Sequence, residues 1–240
     1  LPFAAGYYLS YLFRTINTLI SGPLSAELGL DAANLGLLTA VYFLVLAGAQ
    51  IPIGVLLDRF GPRRVQSVLL VVAAGGAALF AASTGLLELL IARAMIGIGV
   101  AAALMAGLKA IVTWFPRERV ALINGYMIML GALGAVTATA PAEWLMGYSG
   151  WRGLFELSAA ATLAAALLIF LAVPDKAQLV LPQRTSLKLG AIYRDPRFWR
   201  IAPLSASCIG SAWSLQGLWA APWLADVEGF NREALIAQLF

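Results

Sequence analysis

Residues 54–64 read GVLLDRFGPRR and lie between two long apolar stretches of the chain. The first apolar stretch ends near Leu57, a turn of charged residues follows, and the second stretch begins at Val65. A helix that crosses a bilayer needs about 20 predominantly apolar residues, and both stretches approach this length. The sequence therefore predicts two membrane helices joined by a short charged loop.

The composition of the whole chain supports a membrane protein. The 240 residues are 61% hydrophobic and 12% charged, whereas soluble domains carry about 25% charged residues. One cysteine and no histidine leave no disulfide framework and little material for a metal site or an enzyme. A glycine-rich phosphate-binding loop is also missing from the sequence. We therefore expect no enzymatic activity, cofactor, metal or nucleic-acid partner.

Hydropathy divides the chain into spanning helices and one polar linker. The segments long enough to cross a bilayer are 3–25, 34–57, 65–83, 87–112, 120–146, 153–173 and 200–224, and an eighth begins near Arg232. We expect an all-α membrane protein with an N-terminal six-helix bundle over 1–173 and a linker over 174–199. Residues 200–240 would be the start of a second, truncated bundle, with helix seven and the start of helix eight. Repeated bundles of this kind are typical of transporters. The remaining C-terminal half, which is the rest of the second bundle, would then be a partner of the first bundle within the same fold.

Basic residues predict the orientation of the helices. Most loop arginines and lysines fall on the side of the 54–64 loop and the 174–199 linker, while Arg152 and Arg232 lie on the other side. Cytoplasmic loops carry an excess of Lys and Arg. We therefore expect a multi-pass protein of the bacterial inner membrane, with a cytoplasmic N-terminus and linker.

The charged loop resembles a signature of the major facilitator superfamily that joins helices two and three. That signature has Gly, three residues, Asp, a basic residue, one residue, Gly and further basic residues. The matching residues are Gly54, Asp58, Arg59, Gly61, Arg63 and Arg64, whereas Pro62 departs from it. The segment IARAMIGIG, which contains Arg93, resembles a second signature in helix four, and Gly-Trp-Arg at 150–152 also resembles the family.

The resemblance implies a role for this loop in alternating access. Asp58 would lie against the N-terminus of a helix in the other half, where a carboxylate is favoured by about 0.3–1 kcal/mol. Gly54 would allow two helices to pack closely. The alternative is that the charges only anchor the inner surface. Family members usually have twelve helices, so the chain would be a truncated form.

Arg14 is the most costly residue to place in a membrane. It lies near the middle of the first predicted helix, where an arginine costs at least about 2.5–3.5 kcal/mol. Its neighbours at helical spacing are all polar: Tyr7, Ser10, Tyr11, Asn17, Thr18 and Ser21. The helix is amphipathic, and we expect its polar stripe to line a substrate path.

The stretch YLFRTIN also resembles helix one of the anion:cation symporter branch of the superfamily. This resemblance implies that Arg14 binds an anionic group, and the planar guanidinium suits a carboxylate. The predicted substrate-binding residues are Arg14, Tyr7, Tyr11, Asn17, Gln216 and Trp213. The alternative is that Arg14 pairs with a carboxylate of the missing half.

Energy coupling is less determined by the sequence. Arg93, in the outer half of helix four, is a candidate for coupling substrate binding to the movement of a proton. The alternative for Arg93 is a structural hydrogen bond to backbone carbonyls. Helix five has no adjacent Gly-Pro pair of the kind that antiporters of this family carry, which favours symport or uniport.

These observations predict a secondary active transporter that moves a small organic anion across the membrane by alternating access. Two alternatives stay open. One is an exporter of a neutral or cationic small molecule in which Arg14 is structural. The other is a membrane sensor that binds a ligand without transporting it.

Overall fold

A computed structural model of the chain describes residues 2–174 and 194–215, together with Trp223 and Val227. Contacts divide the chain into two compact units, one within 1–175 and one within 176–239. The described helices are α1 (Pro2–Leu28), α2 (Ala32–Ala82), α3 (Leu86–Val100), α4 (Ala103–Trp114), α5 (Arg117–Thr137), α6 (Ala140–Ala172) and α7 (Pro196–Ser214). The described regular structure is entirely helical, as the sequence predicted.

Two glycines divide the longest helices. The 51 residues of α2 would extend about 76 Å if straight, more than twice the thickness of a hydrocarbon core. Gly61 interrupts α2 with φ 80° and ψ 161°, and Gly150 interrupts α6 with φ 67° and ψ −179°. Only glycine adopts this region of backbone space without strain. Each interruption coincides with a loop that the sequence predicted between two membrane helices.

The chain reverses direction at Gly61. Gly97 of α3 packs against the backbone of Tyr42, which precedes the break, while Gly99 packs against Ala73, which follows it. Both arms of α2, residues 32–60 and 62–82, therefore lie against the same turn of α3. Small residues at these contacts let the helix backbones approach closely.

In the first unit the predicted boundaries agree with the structure in most places and differ in two. The predicted fourth span, 87–112, consists of α3 and α4, with a short turn at residues 101–102. The predicted fifth span, 120–146, includes α5 and the beginning of α6, with a turn at residues 138–139. Hydropathy could not locate these turns because three of the four residues that form them are alanines and Thr139 alone does not interrupt the apolar stretch.

An aromatic cluster lies in the core of the first unit. The rings of Phe80 and Phe155 stack with centroids 4.1 Å apart, and Phe13 lies 6.4 Å from Phe155. Trp151 contacts Phe80 edge to face at 5.9 Å. These contacts join α1, α2 and α6. They bury the apolar face of α1, and the polar stripe lies on a different face of that helix.

Within the part of the chain that the structure describes, four helical segments are long and apolar enough to cross a membrane: Ala32–Ala82, Leu86–Trp114, Arg117–Thr137 and Ala140–Ala172. Large apolar side chains on them are exposed, such as Leu171 at 76% and Leu87 at 70%. Helix α1 is not among these four segments, because the residues of its polar stripe lower its hydropathy.

In the second unit, α7 begins four residues before the predicted start of helix seven. Asp195 caps it by accepting a hydrogen bond of 2.8 Å from the backbone N–H of Arg197, and Pro196 occupies the first turn, where a missing N–H has no cost. The end of the predicted helix seven and the start of helix eight near Arg232 lie outside the described residues.

Candidate functional site

The polar stripe of α1 forms a continuous ladder of contacts. The hydroxyl of Tyr7 donates a hydrogen bond of 3.3 Å to the hydroxyl of Tyr11, and the two rings meet edge to face with centroids 5.0 Å apart. The guanidinium carbon of Arg14 lies 3.9 Å from the centroid of the Tyr11 ring, within the range of a cation–π interaction. The spacing of three and four residues places all three side chains on one face of the helix.

Burial differs along this ladder. Tyr7 is 8% exposed, whereas Tyr11, Arg14 and Asn17 are half-buried. The ring of Tyr11 therefore holds one face of the Arg14 guanidinium while part of the side chain stays accessible. A guanidinium held in this way is pre-organised for a planar anion.

Helix α2 adds a polar residue that the sequence did not single out. The side-chain amide of Asn17 donates a hydrogen bond of 3.4 Å to Oγ1 of Thr39, which itself donates to the carbonyl of Leu35 at 3.1 Å. Thr39 is a lone polar residue in an apolar stretch of α2, and this signal could have identified it. The contact joins the predicted site on α1 to α2.

Helix α5 packs directly beneath the two tyrosines. Gly131 faces the rings of both Tyr7 and Tyr11, and Gly134 packs against the backbone of Tyr8. The absence of side chains at these two glycines lets α5 approach α1 closely. Helix α5 therefore packs against the tyrosines of the predicted site.

Arg93 is enclosed in the core, with 0% exposure. Its Nη1 donates a hydrogen bond of 3.3 Å to the carbonyl of Phe13, and its guanidinium lies 4.7 Å from the ring centroid of Phe80 and 5.6 Å from that of Phe155. This geometry matches the alternative of a structural hydrogen bond to a backbone carbonyl. The hydrogen bond also holds α1 at Phe13, which is one residue before Arg14.

The charged loop is held to α4 and α6. The ammonium of Lys109 lies 2.7 Å from a carboxylate oxygen of Asp58 and donates to the carbonyl of Leu57 at 2.7 Å. Arg63 donates from Nε and Nη2 to the carbonyl of Phe170 at 2.9 and 2.6 Å. The loop is therefore part of the first unit rather than a free connection.

Two arginines of the loop signature, Arg59 and Arg64, are exposed. The guanidinium of Arg59 lies 5.1 Å from the ring of Phe60. Among the described residues, nothing lies within 4 Å of a Cβ added to Gly54. The close packing predicted for Gly54 is therefore not made with a helix of the first unit.

A second charged cluster lies at the opposite ends of the helices. The carboxylate of Glu27 accepts a hydrogen bond of 2.6 Å from the indole of Trp151 and forms an ion pair with Arg152. Arg152 also donates to the carbonyl of Ser83 at 3.0 Å. The hydrogen bonds from Trp151 and Arg152 lower the pKa of Glu27 below its ordinary value. The sequence identified 150–152 only as a resemblance and assigned no partner to it.

The two predicted site residues of helix seven do not belong to the first unit. Trp213 is on α7, in the second unit, and is 37% exposed, while Gln216 lies outside the described residues. The structure therefore brings together Tyr7, Tyr11, Arg14 and Asn17, and their relation to helix seven stays a prediction.

An apolar cavity of about 370 Å³ lies near the start of α1, the end of α4 and the first half of α5. Its lining is apolar and aromatic, with Phe3, Trp114 and Met127 among its residues. Arg14 does not line it. The cavity offers no charged partner for an anion, so the stripe of α1 remains the stronger candidate site.

These features define a multi-pass helical membrane protein with an arginine on the polar stripe of its first helix and a charged loop fixed to two helices. A family model described as Major Facilitator Superfamily matches residues 3–240. The chain therefore belongs to the major facilitator superfamily, as its loop signature predicted.

Several known transporters are similar along most of the chain. A hexuronate transporter of Escherichia coli is 28% identical over 94% of this chain and 56% of its own length. A probable sulfoacetate transporter of Cupriavidus necator is 26% identical over 95% of this chain and 57% of its own length. A galacturonate transporter of Dickeya chrysanthemi is 26% identical over 94% of this chain and 71% of its own length. These relatives are transporters, which confirms the expectation that the protein is not an enzyme.

A solved structure supports the fold. A bacterial homologue of the human lysosomal transporter Spinster, in an inward-facing and occupied conformation, superposes with a TM-score of 0.75. The match has 22% sequence identity and covers 98% of this chain and 55% of that protein. The chain thus spans about half the length of the hexuronate and sulfoacetate transporters and of this structure.

Proposed function

We propose that the full-length protein is a secondary active transporter that moves a small organic anion across the membrane by alternating access. The observation that carries the proposal is the half-buried guanidinium of Arg14, which lies against Tyr11 on the polar stripe of an otherwise apolar helix. An arginine in a helix that crosses a bilayer carries a substantial free-energy cost. Binding an anion would give the positive charge of Arg14 a function that explains why this cost is tolerated.

The names of the relatives support an anionic substrate. Hexuronate, galacturonate and sulfoacetate all carry a carboxylate, and sulfoacetate also carries a sulfonate. A guanidinium forms two parallel hydrogen bonds with a carboxylate, and such charge-assisted bonds are about twice as strong as neutral ones. In this proposal Arg14 binds the carboxylate, and Tyr7, Tyr11 and Asn17 contact the rest of the substrate, with Gln216 and Trp213 supplied by helix seven.

The charged loop would control the conformational change. In this proposal Asp58 contacts a helix of the other half when the inner side is closed, and Gly54, Arg59 and Arg64 lie at the same interface. Lys109 supports the proposal because its ammonium fixes the end of the first arm of α2, beside Asp58. The loop and the 174–199 linker would lie on the cytoplasmic side of a bacterial inner membrane.

A proton is the proposed coupling ion, with Arg93 as the candidate that transmits its effect. The hydrogen bond of Arg93 to the carbonyl of Phe13 is the structural contact that the sequence left as the alternative, and in this proposal the same bond links Arg93 to α1 next to Arg14. Transport driven by a pH gradient across a proteoliposome membrane tests the coupling directly.

The substitution of Arg14 by alanine tests the substrate site. We expect Arg14→Ala in the full-length protein to weaken the binding of radiolabelled glucuronate by at least about tenfold, since charged hydrogen bonds contribute about 1.5–3 kcal/mol. Arg14→Lys should bind with intermediate affinity because it keeps the charge and loses the planar fork. Arg119→Ala, at an exposed position at the start of α5, is the matched control and should bind normally.

Three outcomes would contradict the proposal. Unchanged glucuronate affinity in Arg14→Ala, or equal competition by glucose and glucuronate, would favour an exporter of neutral compounds with Arg14 structural. Binding without uptake into proteoliposomes would favour a sensor.

A further inference from the structure

Gly131 of α5 occupies a position where even a methyl group has no room. A Cβ added there would lie 2.5 Å from Cδ1 and 2.6 Å from Cε1 of Tyr7, and 3.3 Å from Cδ2 of Tyr11. Real Cβ atoms essentially never approach another heavy atom more closely than 3.0 Å. The two rings that form the ladder beneath Arg14 therefore rest on the bare backbone of α5.

We propose that Gly131 is a positioning residue for the anion site: α5 determines, through Tyr7 and Tyr11, where the guanidinium of Arg14 lies. The chain of contacts is direct. Gly131 contacts both rings, Tyr7 donates to Tyr11, and Arg14 lies on the ring of Tyr11. This inference deepens the proposed function and depends on it only for the identity of the ligand.

The tyrosine rings, rather than α5, would have to move if a side chain were added at Gly131. One turn further along α5, Gly134 packs against the backbone of Tyr8, so the two helices are already in close contact. Separating them would break this second contact as well. Tyr7 also packs in a small core with Met127 and Ile111. A shift of the Tyr7 ring would therefore shift the ring of Tyr11 and the guanidinium of Arg14.

Gly125 provides a matched control on the same helix. Among the described residues, nothing lies within 4 Å of a Cβ added at Gly125. Gly131→Ala and Gly125→Ala therefore make the same chemical change and give the same gain in helix propensity. They differ only in what the new methyl group meets.

The first experiment measures substrate affinity in the full-length protein. We expect Gly131→Ala to weaken glucuronate binding by about tenfold, because a displaced guanidinium loses part of its charged hydrogen bonds to the carboxylate. The apparent KM should rise while the maximal uptake rate stays close to that of Gly125→Ala, and the melting temperature should fall below that of Gly125→Ala because the added methyl group overpacks the contact. Equal affinities of the two variants would overturn the proposal.

The second experiment does not depend on the substrate. In a Cys208→Ser background, Arg14→Cys is modified with an anionic thiosulfonate reagent, and the rate is compared after adding Gly131→Ala or Gly125→Ala. We expect Gly131→Ala to change the rate severalfold and Gly125→Ala to leave it unchanged. A changed rate together with absent anion binding would contradict the proposed function but support the positioning role, whereas equal rates would overturn the positioning role.

A double substitution covers the case in which Gly131→Ala folds poorly. Tyr7→Ala removes the ring that the new methyl group meets, so Gly131→Ala should have little further effect on the modification rate of Arg14→Cys in that background. Residues in contact are expected to be non-additive in this way. Fully additive effects of the two substitutions would overturn the proposal.

Discussion

At the scale of single residues, the side chains of Lys109 and Arg63 donate hydrogen bonds to carbonyls at helix ends. The last four carbonyls of a helix have no intrahelical donor, and Leu57 and Phe170 lie in the last turns of the first arm of α2 and of α6. Lys109 donates to the first carbonyl and Arg63 to the second. A cation at the C-terminus also interacts favourably with the helix dipole.

Lys109→Gln tests whether this contact has a role beyond stability. The pair with Asp58 is partly exposed, at 32% and 69%, and such pairs contribute about 0–1 kcal/mol. We therefore expect a small change in melting temperature. The uptake rate should fall several-fold at unchanged substrate affinity, because the position of Asp58 is no longer fixed.

The controls for this variant are Lys109→Arg, which keeps the cation, and Arg119→Gln, which removes an exposed one. Both should retain the uptake rate of the unmodified protein. A normal rate in Lys109→Gln would mean that its contact with Asp58 only anchors the inner surface.

At the scale of elements, two glycines divide the longest helices. Gly61 and Gly150 have φ values of 80° and 67°, with extended ψ values that only glycine adopts at low cost. Each lies inside a helical stretch that would otherwise continue. The break at Gly61 also places both arms of α2 against α3, which builds the core around Phe80.

Gly61→Ala is expected to destabilise the protein by about 1–3 kcal/mol, the cost of holding a side chain in this backbone region. The free energy of unfolding in detergent measures this loss. Gly36→Ala is the matched control, since Gly36 lies in the regular part of α2 and its added Cβ meets nothing within 4 Å among the described residues. A loss of equal size in both variants would contradict the backbone explanation.

At the scale of the whole first unit, one cluster joins helix ends that are distant in sequence. Glu27 lies near the end of α1, beyond the stretch that hydropathy assigns to the membrane. It contacts Trp151 and Arg152, which directly follow the break of α6 at Gly150. Arg152 also reaches the carbonyl of Ser83 between α2 and α3. The carboxylate of Glu27 makes two of these contacts and the guanidinium of Arg152 makes the third, so the cluster joins α1, α6 and the turn between α2 and α3.

This cluster predicts a pH dependence of stability. Because the pKa of Glu27 is lower in the folded state than its ordinary value of 4.5, the charged carboxylate stabilises the fold fully above that value. This stabilisation is lost as the pH falls through the lowered pKa. The melting temperature of the protein should therefore exceed that of Glu27→Gln at pH 7 and converge with it in acid.

Trp151→Phe is the companion variant, because it keeps the ring against Phe80 and removes the hydrogen-bond donor that most lowers the pKa of Glu27. Its melting temperature should depend less on pH than that of the unmodified protein. A constant difference between the protein and Glu27→Gln at every pH would contradict this role of the carboxylate.

Much of the fold and part of the candidate site could be predicted from the sequence. The loop signature, the hydropathy and the polar stripe of α1 identified the family, the helical bundle and the ladder of Tyr7, Tyr11 and Arg14. These features are local, since they depend on residues within one or two helical turns. Thr39, Lys109 and Gly131 were missed as partners because each acts on a residue of another helix.

The sequence by itself determined the class of the protein, because apolar length and charge placement decide which segments can cross a bilayer. It also determined that Arg14 shares a helix face with polar residues. Only the tertiary structure decided that Arg93 is enclosed by aromatic rings, that Lys109 faces Asp58, and that α5 supports the tyrosines. The physical reason is that helical periodicity fixes neighbours within a helix, whereas contacts between helices depend on how distant backbones pack.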